Sequence, residues 1–169
     1  RVDEQIPLFS DDFENGINGW TMGIDNALTT EWELGPPTGV GPSGAKSPVN
    51  CWGTNLGGQY SDAAECGLHS PETTLTSAGT PTLTWTQTVD IEDGGSPFDW
   101  GEVNILDAGN NPIIPVLGGK ISGEDSTPAW TGEARSLDAA LGNVIKIEFR
   151  FKSDGFNSLF AGWYIDDVT

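Results

Sequence analysis

Through much of the chain, apolar and polar side chains alternate with a period of two. In residues 144–152, Ile145, Ile147, Phe149 and Phe151 fall on one face while Lys146, Glu148, Arg150 and Lys152 fall on the other. That is the pattern of a strand with one dry face and one wet face. Residues 81–92 and 101–106 read the same way, and shorter strands are expected at 8–13, 30–34, 49–53, 67–75, 113–117, 130–136 and 162–169. Gly, Pro, Asn and Ser clusters separate them, as turn chemistry requires. Helical character is confined to residues 136–142, where Ser136 can cap about one turn and Gly142 can end it. About ten short strands without βαβ alternation predict an all-β fold, a two-sheet antiparallel jelly-roll β-sandwich, with a closed barrel as the alternative. Residues 35–44 and 55–62 read as long surface loops, and the chain carries no internal repeat.

A length of 169 residues fits one domain, residues 1–169, and 23 Gly with 11 Pro beside 36% hydrophobic residues describes a turn-rich chain that still folds. Seven Lys and Arg against 25 Asp and Glu leave a formal charge of −18. Phosphate backbones and anionic lipid surfaces are repelled by such a chain, so no nucleic-acid partner and no membrane insertion are expected. No apolar run reaches the ~18 residues of a membrane span, and the N-terminus from Arg1 lacks the basic-then-apolar layout of a signal peptide. The chain therefore reads as a piece of a larger secreted or cell-surface protein. Cys51 and Cys66 enclose a short loop, and a disulfide between them would stabilise by ~3 kcal/mol in the loop-entropy model. Two buried thiols are the alternative.

Catalytic raw material is scarce. A Ser-His-Asp triad would have to use His69, the sole histidine, in Leu68-His69-Ser70-Pro71, a context that reads as the opening of a strand. Gly57-Gly58 is not followed by Lys and opens no helix, so no phosphate cradle is present. The expected role is non-catalytic. Seven tryptophans are the stronger signal, because flat indole faces stack on sugar rings. Trp20, Trp32, Trp85 and Trp163 lie in strand-like contexts that suit the core, and Trp52 is open. Trp100 and Trp130 follow polar or acidic loops and are the candidate ligand-binding residues. Carbohydrate is the leading partner class, neutral glycan favoured by the overall charge, with another protein surface as the competing class.

Segments near the two ends, Asp11-Asp12-Phe13-Glu14-Asn15-Gly16 with Gly19-Trp20, and Gly162-Trp163-Tyr164-Ile165-Asp166-Asp167-Val168, share a further pattern with Trp52–Tyr60 and Leu68–Pro71. Together they resemble the bacterial jelly-roll modules related to MAM domains. These include modules attached to immune-inhibitor-A-type metalloproteases and the cleaved adhesin domains of gingipains, and they are related in fold to carbohydrate-binding modules. The resemblance implies that first and last strands lie together and that a structural Ca2+ is held there by Glu14, Asp166 and Asp167, with Asp12 beside them. Acids converging at such a seam repel unless a hard cation with oxygen ligands neutralises them. Asp25 with Asn26, Asp62, Glu92 with Asp93 and Asp99, and Asp154 are further acids whose spacing alone points to no site.

Overall fold

The computed structural model describes residues 6–24, 30–93, 98–157 and 159–169. Among the described residues, eleven strands form two antiparallel sheets. β1 (Thr21–Ile24), β4 (Glu65–His69), β10 (Val144–Lys152), β7 (Trp100–Leu106) and β8 (Pro112–Ile114) lie side by side in that order, and β5 (Thr73–Thr74) pairs with the start of β10. The second sheet runs β2 (Glu33–Gly35), β3 (Cys51–Gly53), β11 (Gly162–Asp166), β6 (Thr82–Asp90) and β9 (Thr127–Ser136). The expected sandwich is the observed one.

Alternation decides which side chains fill the space between the sheets. Ile145, Ile147, Phe149 and Phe151 all point inward from β10 and are buried. Phe149 lies against three indoles, with ring centroids 6.3 Å from Trp20, 5.7 Å from Trp85 and 5.6 Å from Trp163, while Trp32 meets Trp163 edge-on at 5.5 Å. Edge-to-face aromatic pairs add about 0.5–1.5 kcal/mol each beyond the area they bury. Trp52, left open by the sequence, is fully buried beside Phe13. Gln87 is the polar centre of this core: its Oε1 accepts from Trp85 Nε1 at 2.9 Å and from Trp163 Nε1 at 2.9 Å. One amide oxygen thus satisfies two buried indole donors.

Several expectations need correction. Residues 8–13 form no strand, only a single bridge between Asp11 and Val168. Residues 67–75 split into β4 and β5, both paired to β10, because one extra residue and Pro71, which cannot donate to a ladder, interrupt the pairing between them. The edge strand β1 carries Gly23 and an exposed Met22, so it lacks the alternation that marks its neighbours. The helical turn is a short 3-10 segment at Asp138–Ala140, and Ser136 ends β9 while its Oγ accepts from Asp138 N at 3.2 Å. The bridge expected between Cys51 and Cys66 is absent. Cys51 points to the outer face of the second sheet with Leu56, Ala161 and Tyr164, whereas Cys66 lies in the core between the sheets. A disulfide needs Cβ atoms about 4 Å apart, which an outward residue of one sheet and an inward residue of the other do not offer.

Replacing Gln87 by Leu removes the shared acceptor and leaves two buried indole donors unpaired, each costing about 1–3 kcal/mol. Urea unfolding followed by tryptophan emission should show a markedly lower midpoint for Gln87→Leu than for Thr86→Leu on the same strand.

Candidate functional site

The two chain ends meet. Asp11 N donates to Val168 O at 2.9 Å and Val168 N returns the bond at 3.0 Å, while Thr84 and Thr169 exchange backbone bonds at 2.9 Å. Around this seam three of the four expected metal ligands grip one backbone segment, residues 46–50. Asp166 Oδ2 accepts from Lys46 N and Ser47 N, both at 2.8 Å; Glu14 Oε1 accepts from Val49 N at 3.2 Å and Asn50 N at 2.7 Å; Ser47 Oγ bonds Asp167 Oδ1. Asp12 is exposed and turns its carboxylate to Glu14 N at 3.2 Å, away from that segment. Its neighbour Asp11 is the buried acid, accepting from Phe13 N at 2.8 Å and Trp20 Nε1 at 3.0 Å. Burial pushes the Asp166 carboxyl up to about 6, against the hydrogen bonds from Ser47 N and Asp167 N and helped by the charge of Asp167. Burial, with Asp166 and Glu14 nearby, likewise pushes the Cys51 thiol up to about 12, which leaves it inert as a nucleophile at neutral pH.

Among the described residues, the acids whose oxygens come within 4.8 Å of one another are Glu92, Asp99 and Asp154. Three carboxylates at that spacing can hold a metal ion. Asp99 is fully buried and accepts from Tyr60 Oη at 2.6 Å and Asp154 N at 2.7 Å; Tyr60 Oη in turn accepts from Glu92 N at 3.1 Å. Desolvation raises the Asp99 carboxyl above its ordinary range, and the Tyr60 and Asp154 donors oppose the shift. These residues come from three distant segments, and nothing in their sequence spacing marks the group.

The two candidate tryptophans lie on different sheets and make no common platform. Trp130, on β9, is half-buried beneath the 36–46 loop, donating its Nε1 to Gly44 O at 2.9 Å. That loop lies close because Gly41 has no side chain; a Cβ there would be 2.3 Å from the Tyr164 ring. Trp100 opens β7 on the outer face of the first sheet, since the next residue, Gly101, faces Trp163 in the core. Lys120 Nζ stands 3.8 Å above its ring centroid. Beside it the outer face is polar: Glu102 and Asn104 follow on β7, and Glu148, Arg150 and Lys152 stand on β10. Glu148 Oε2 meets His69 Nε2 at 2.6 Å and Arg150 Nη2 at 2.9 Å, while its Oε1 accepts from Asn104 Nδ2 at 2.8 Å. Burial alone would raise that carboxyl, but the three donors bring it down to about 2. His69 is thereby committed to a carboxylate, and Ser70 Oγ donates to Pro71 O instead of to the imidazole. The sequence reading passed over Glu102, Arg150 and Lys152; the wet half of the β10 alternation was the signal that could have found them.

No family model matches the chain. It is 33% identical over 162 residues to Bacillopeptidase F of Bacillus subtilis (strain 168), a match that covers 95% of the chain and 10% of that protein. The chain therefore spans about a tenth of the relative's length. The K3 cleaved adhesin domain of Lys-gingipain from Porphyromonas gingivalis superposes with a TM-score of 0.59 at 22% identity, covering 95% of each chain. TmCBM61, solved in complex with β-1,4-galactotriose, gives a TM-score of 0.53 at 18% identity, covering 93% of this chain and 91% of its own. The jelly roll of gingipain adhesin domains and of carbohydrate-binding modules is thus the fold of this chain, as the terminal motifs implied. No helix among the described residues is long and apolar enough to cross a membrane.

Because Asp166 binds its proton more tightly folded than unfolded, its contribution opposes folding at neutral pH and fades as pH falls through about 6 toward its ordinary value near 4. Metal-free wild type should gain thermal stability across that window relative to Asp166→Asn. Glu148 has the opposite sign, contributing above its unfolded value near 4.5 and losing that contribution as pH falls toward about 2. Thermal scans of wild type, Asp166→Asn and Glu148→Gln across pH 2 to 8 check both limbs.

Proposed function

We propose that this chain is a non-catalytic, calcium-stabilised carbohydrate-binding module of a secreted protein. The observation that carries the reading is Trp100: a half-buried indole on the outer face of a sheet, with Lys152 in its own row and Glu102 and Arg150 in the next. Stacking supplies apolar contact, and the polar side chains orient the ring. The fold shared with a galactotriose-binding module supports this reading, as does sequence kinship with a segment of a much longer protein named as a peptidase. Titration with polysaccharides should shift the tryptophan emission of the wild type and leave Trp100→Ala unmoved. A Trp100→Ala chain that still binds with unchanged affinity overturns the assignment of this face.

Calcium enters the proposal through two sets of acids. Glu92, Asp99 and Asp154 bring three oxygens together, as a hard cation requires. Glu14, Asp166 and Asp167 share the 46–50 segment, although backbone donors already meet oxygens of Glu14 and Asp166 and the Ser47 hydroxyl meets Asp167. EDTA should lower the melting temperature of wild type and added calcium should restore it. Asp99→Asn should abolish the calcium response if the first set holds the ion, and Glu14→Gln if the second does.

Protein adhesion is the second reading, and a specific feature favours it. Phe98, Phe156 and Leu159 are 46%, 80% and 70% exposed on the loops that carry the Glu92, Asp99 and Asp154 group. The Lys-gingipain neighbour is named as an adhesin domain. A pull-down that is lost in Phe156→Ser, with polysaccharide binding absent, would move the function to that end of the sandwich.

A further inference from the structure

The outer face of the first sheet departs from the charge of the chain as a whole. The sequence has seven Lys and Arg, and four of them, Lys120, Lys146, Arg150 and Lys152, gather on or over this face with the sole histidine, His69. Register arranges them in rows across the strands. Thr21, His69, Glu148 and Asn104 make one row; Gly23, Gly67, Arg150 and Glu102 the next; Glu65, Lys152 and Trp100 the third.

Depth separates the charges. Glu102 and Glu148 are buried to 7% and 5% exposure, at the floor of the face. Lys120 is exposed, and Lys152 keeps 30% of its side chain in solvent while reaching Glu102 at 3.2 Å and Glu65 at 3.6 Å. Glu102 and Glu148 thus lie beneath, Glu65 stays at the rim with 35% of its side chain in solvent, and Lys120 stands over the Trp100 ring as the exposed cation. Two glycines in the middle row keep the surface low: a Cβ on Gly67 would press on Arg150 Nη2 at 3.0 Å, and nothing lies within 4 Å of the place a Gly23 Cβ would occupy. A shallow trough therefore runs from β1 to the Arg150 guanidinium, one row away from an indole with Lys120 Nζ at 3.8 Å and Lys152 Nζ at 5.6 Å from its centroid. Elsewhere a chain of charge −18 repels anions; here it presents a flat ring bracketed by two ammonium groups.

We propose that this face takes an acidic polysaccharide, one sugar ring lying on Trp100 in place of the Lys120 ammonium and the sugar carboxylates pairing with Lys120 and Lys152. The inference rests on the carbohydrate reading above and names its ligand class. A neutral sugar would have to displace Lys120 from the ring with no replacement for the lost cation–π contact. A uronate supplies that replacement, because the displaced ammonium stays beside the ring and meets a carboxylate. The Arg150 guanidinium is held by Glu148 through Nε and Nη2 and by Glu65 through Nη1, which fixes it as one wall of the trough.

The test is a fluorescence and calorimetric titration of the whole chain with polygalacturonate, a neutral galactan and a neutral xylan, plus polyglutamate as a non-sugar polyanion. Each is run with calcium and with EDTA. Polygalacturonate should bind best in both buffers and weaken as NaCl is raised. Lys120→Ala, an exposed site that leaves folding intact, should weaken it about tenfold or more, about 1.4 kcal/mol; Lys152→Ala should do the same and Trp100→Ala should abolish binding. Circular dichroism confirms that each variant is folded. Neutral polysaccharide bound through Trp100 with no preference for the acidic one overturns this inference and leaves the carbohydrate reading standing. No binding to any polysaccharide overturns both. Polyglutamate bound as tightly as polygalacturonate points to an acidic protein partner and overturns the inference, as does polygalacturonate binding that needs calcium or ignores the lysine substitutions.

Discussion

Insertion of the last strand into the middle of a sheet is the constraint on which the structure rests. β11 lies between β3 and β6, and its Trp163 meets Trp32, Phe149 and the Gln87 oxygen at the centre of the sandwich. Neither neighbour of β11 is complete without it, because residues near position 53 and near position 88 are joined only through it. Gly162 makes the entry possible: its φ of 105° is a left-handed conformation that side chains rarely adopt, and a Cβ there would be 2.1 Å from Thr54 Oγ1. That same hydroxyl accepts from Trp163 N at 3.0 Å, so the glycine, the threonine and the tryptophan act as one latch.

The acids at the end of β11 follow from this placement. A central strand buries its side chains on both faces, and Asp166 is carried into the protein with it. Backbone N–H groups of Lys46 and Ser47 answer the charge, which ties the long loop before β3 to the chain end. Glu14 repeats the device two residues further along the same segment. The seam is thus built from carboxylates and amides, an arrangement in which Glu14 and Asp166 each anchor a stretch of backbone.

The outer faces of the two sheets serve different ends. Over the second sheet the 36–46 loop lies on Tyr164 and Trp130, and the small apolar cluster around Cys51 extends the core outward. Over β4 and β10 of the first sheet the described residues form ion pairs: His69 and Arg150 on Glu148, Arg150 and Lys152 on Glu65, Lys152 on Glu102. Pairs of this kind on a partly exposed face contribute little to stability individually. Their consequence is order, since a guanidinium held by two acids and lysines held near an indole present a fixed pattern to a ligand.

The period-two alternation determined the fold class and the inward face of β10, because a strand whose every second residue is apolar has one way to bury them. The terminal motifs likewise determined that the ends meet, and the contexts of Trp20, Trp32, Trp85 and Trp163 were enough to place them in the core. Local patterns failed where the decision belonged to a partner strand: β1 is a strand because β4 pairs with it, and Cys51 and Cys66 stay apart because they stand on strands of different sheets, Cys51 facing outward and Cys66 inward. The meeting of Glu92, Asp99 and Asp154, and of Trp100 with Lys120 and Lys152, was decided by tertiary structure alone. Alternation fixes which side of a strand a residue faces, whereas the residues it meets there depend on which strands lie alongside and in what register, a relation that no contiguous stretch of sequence encodes.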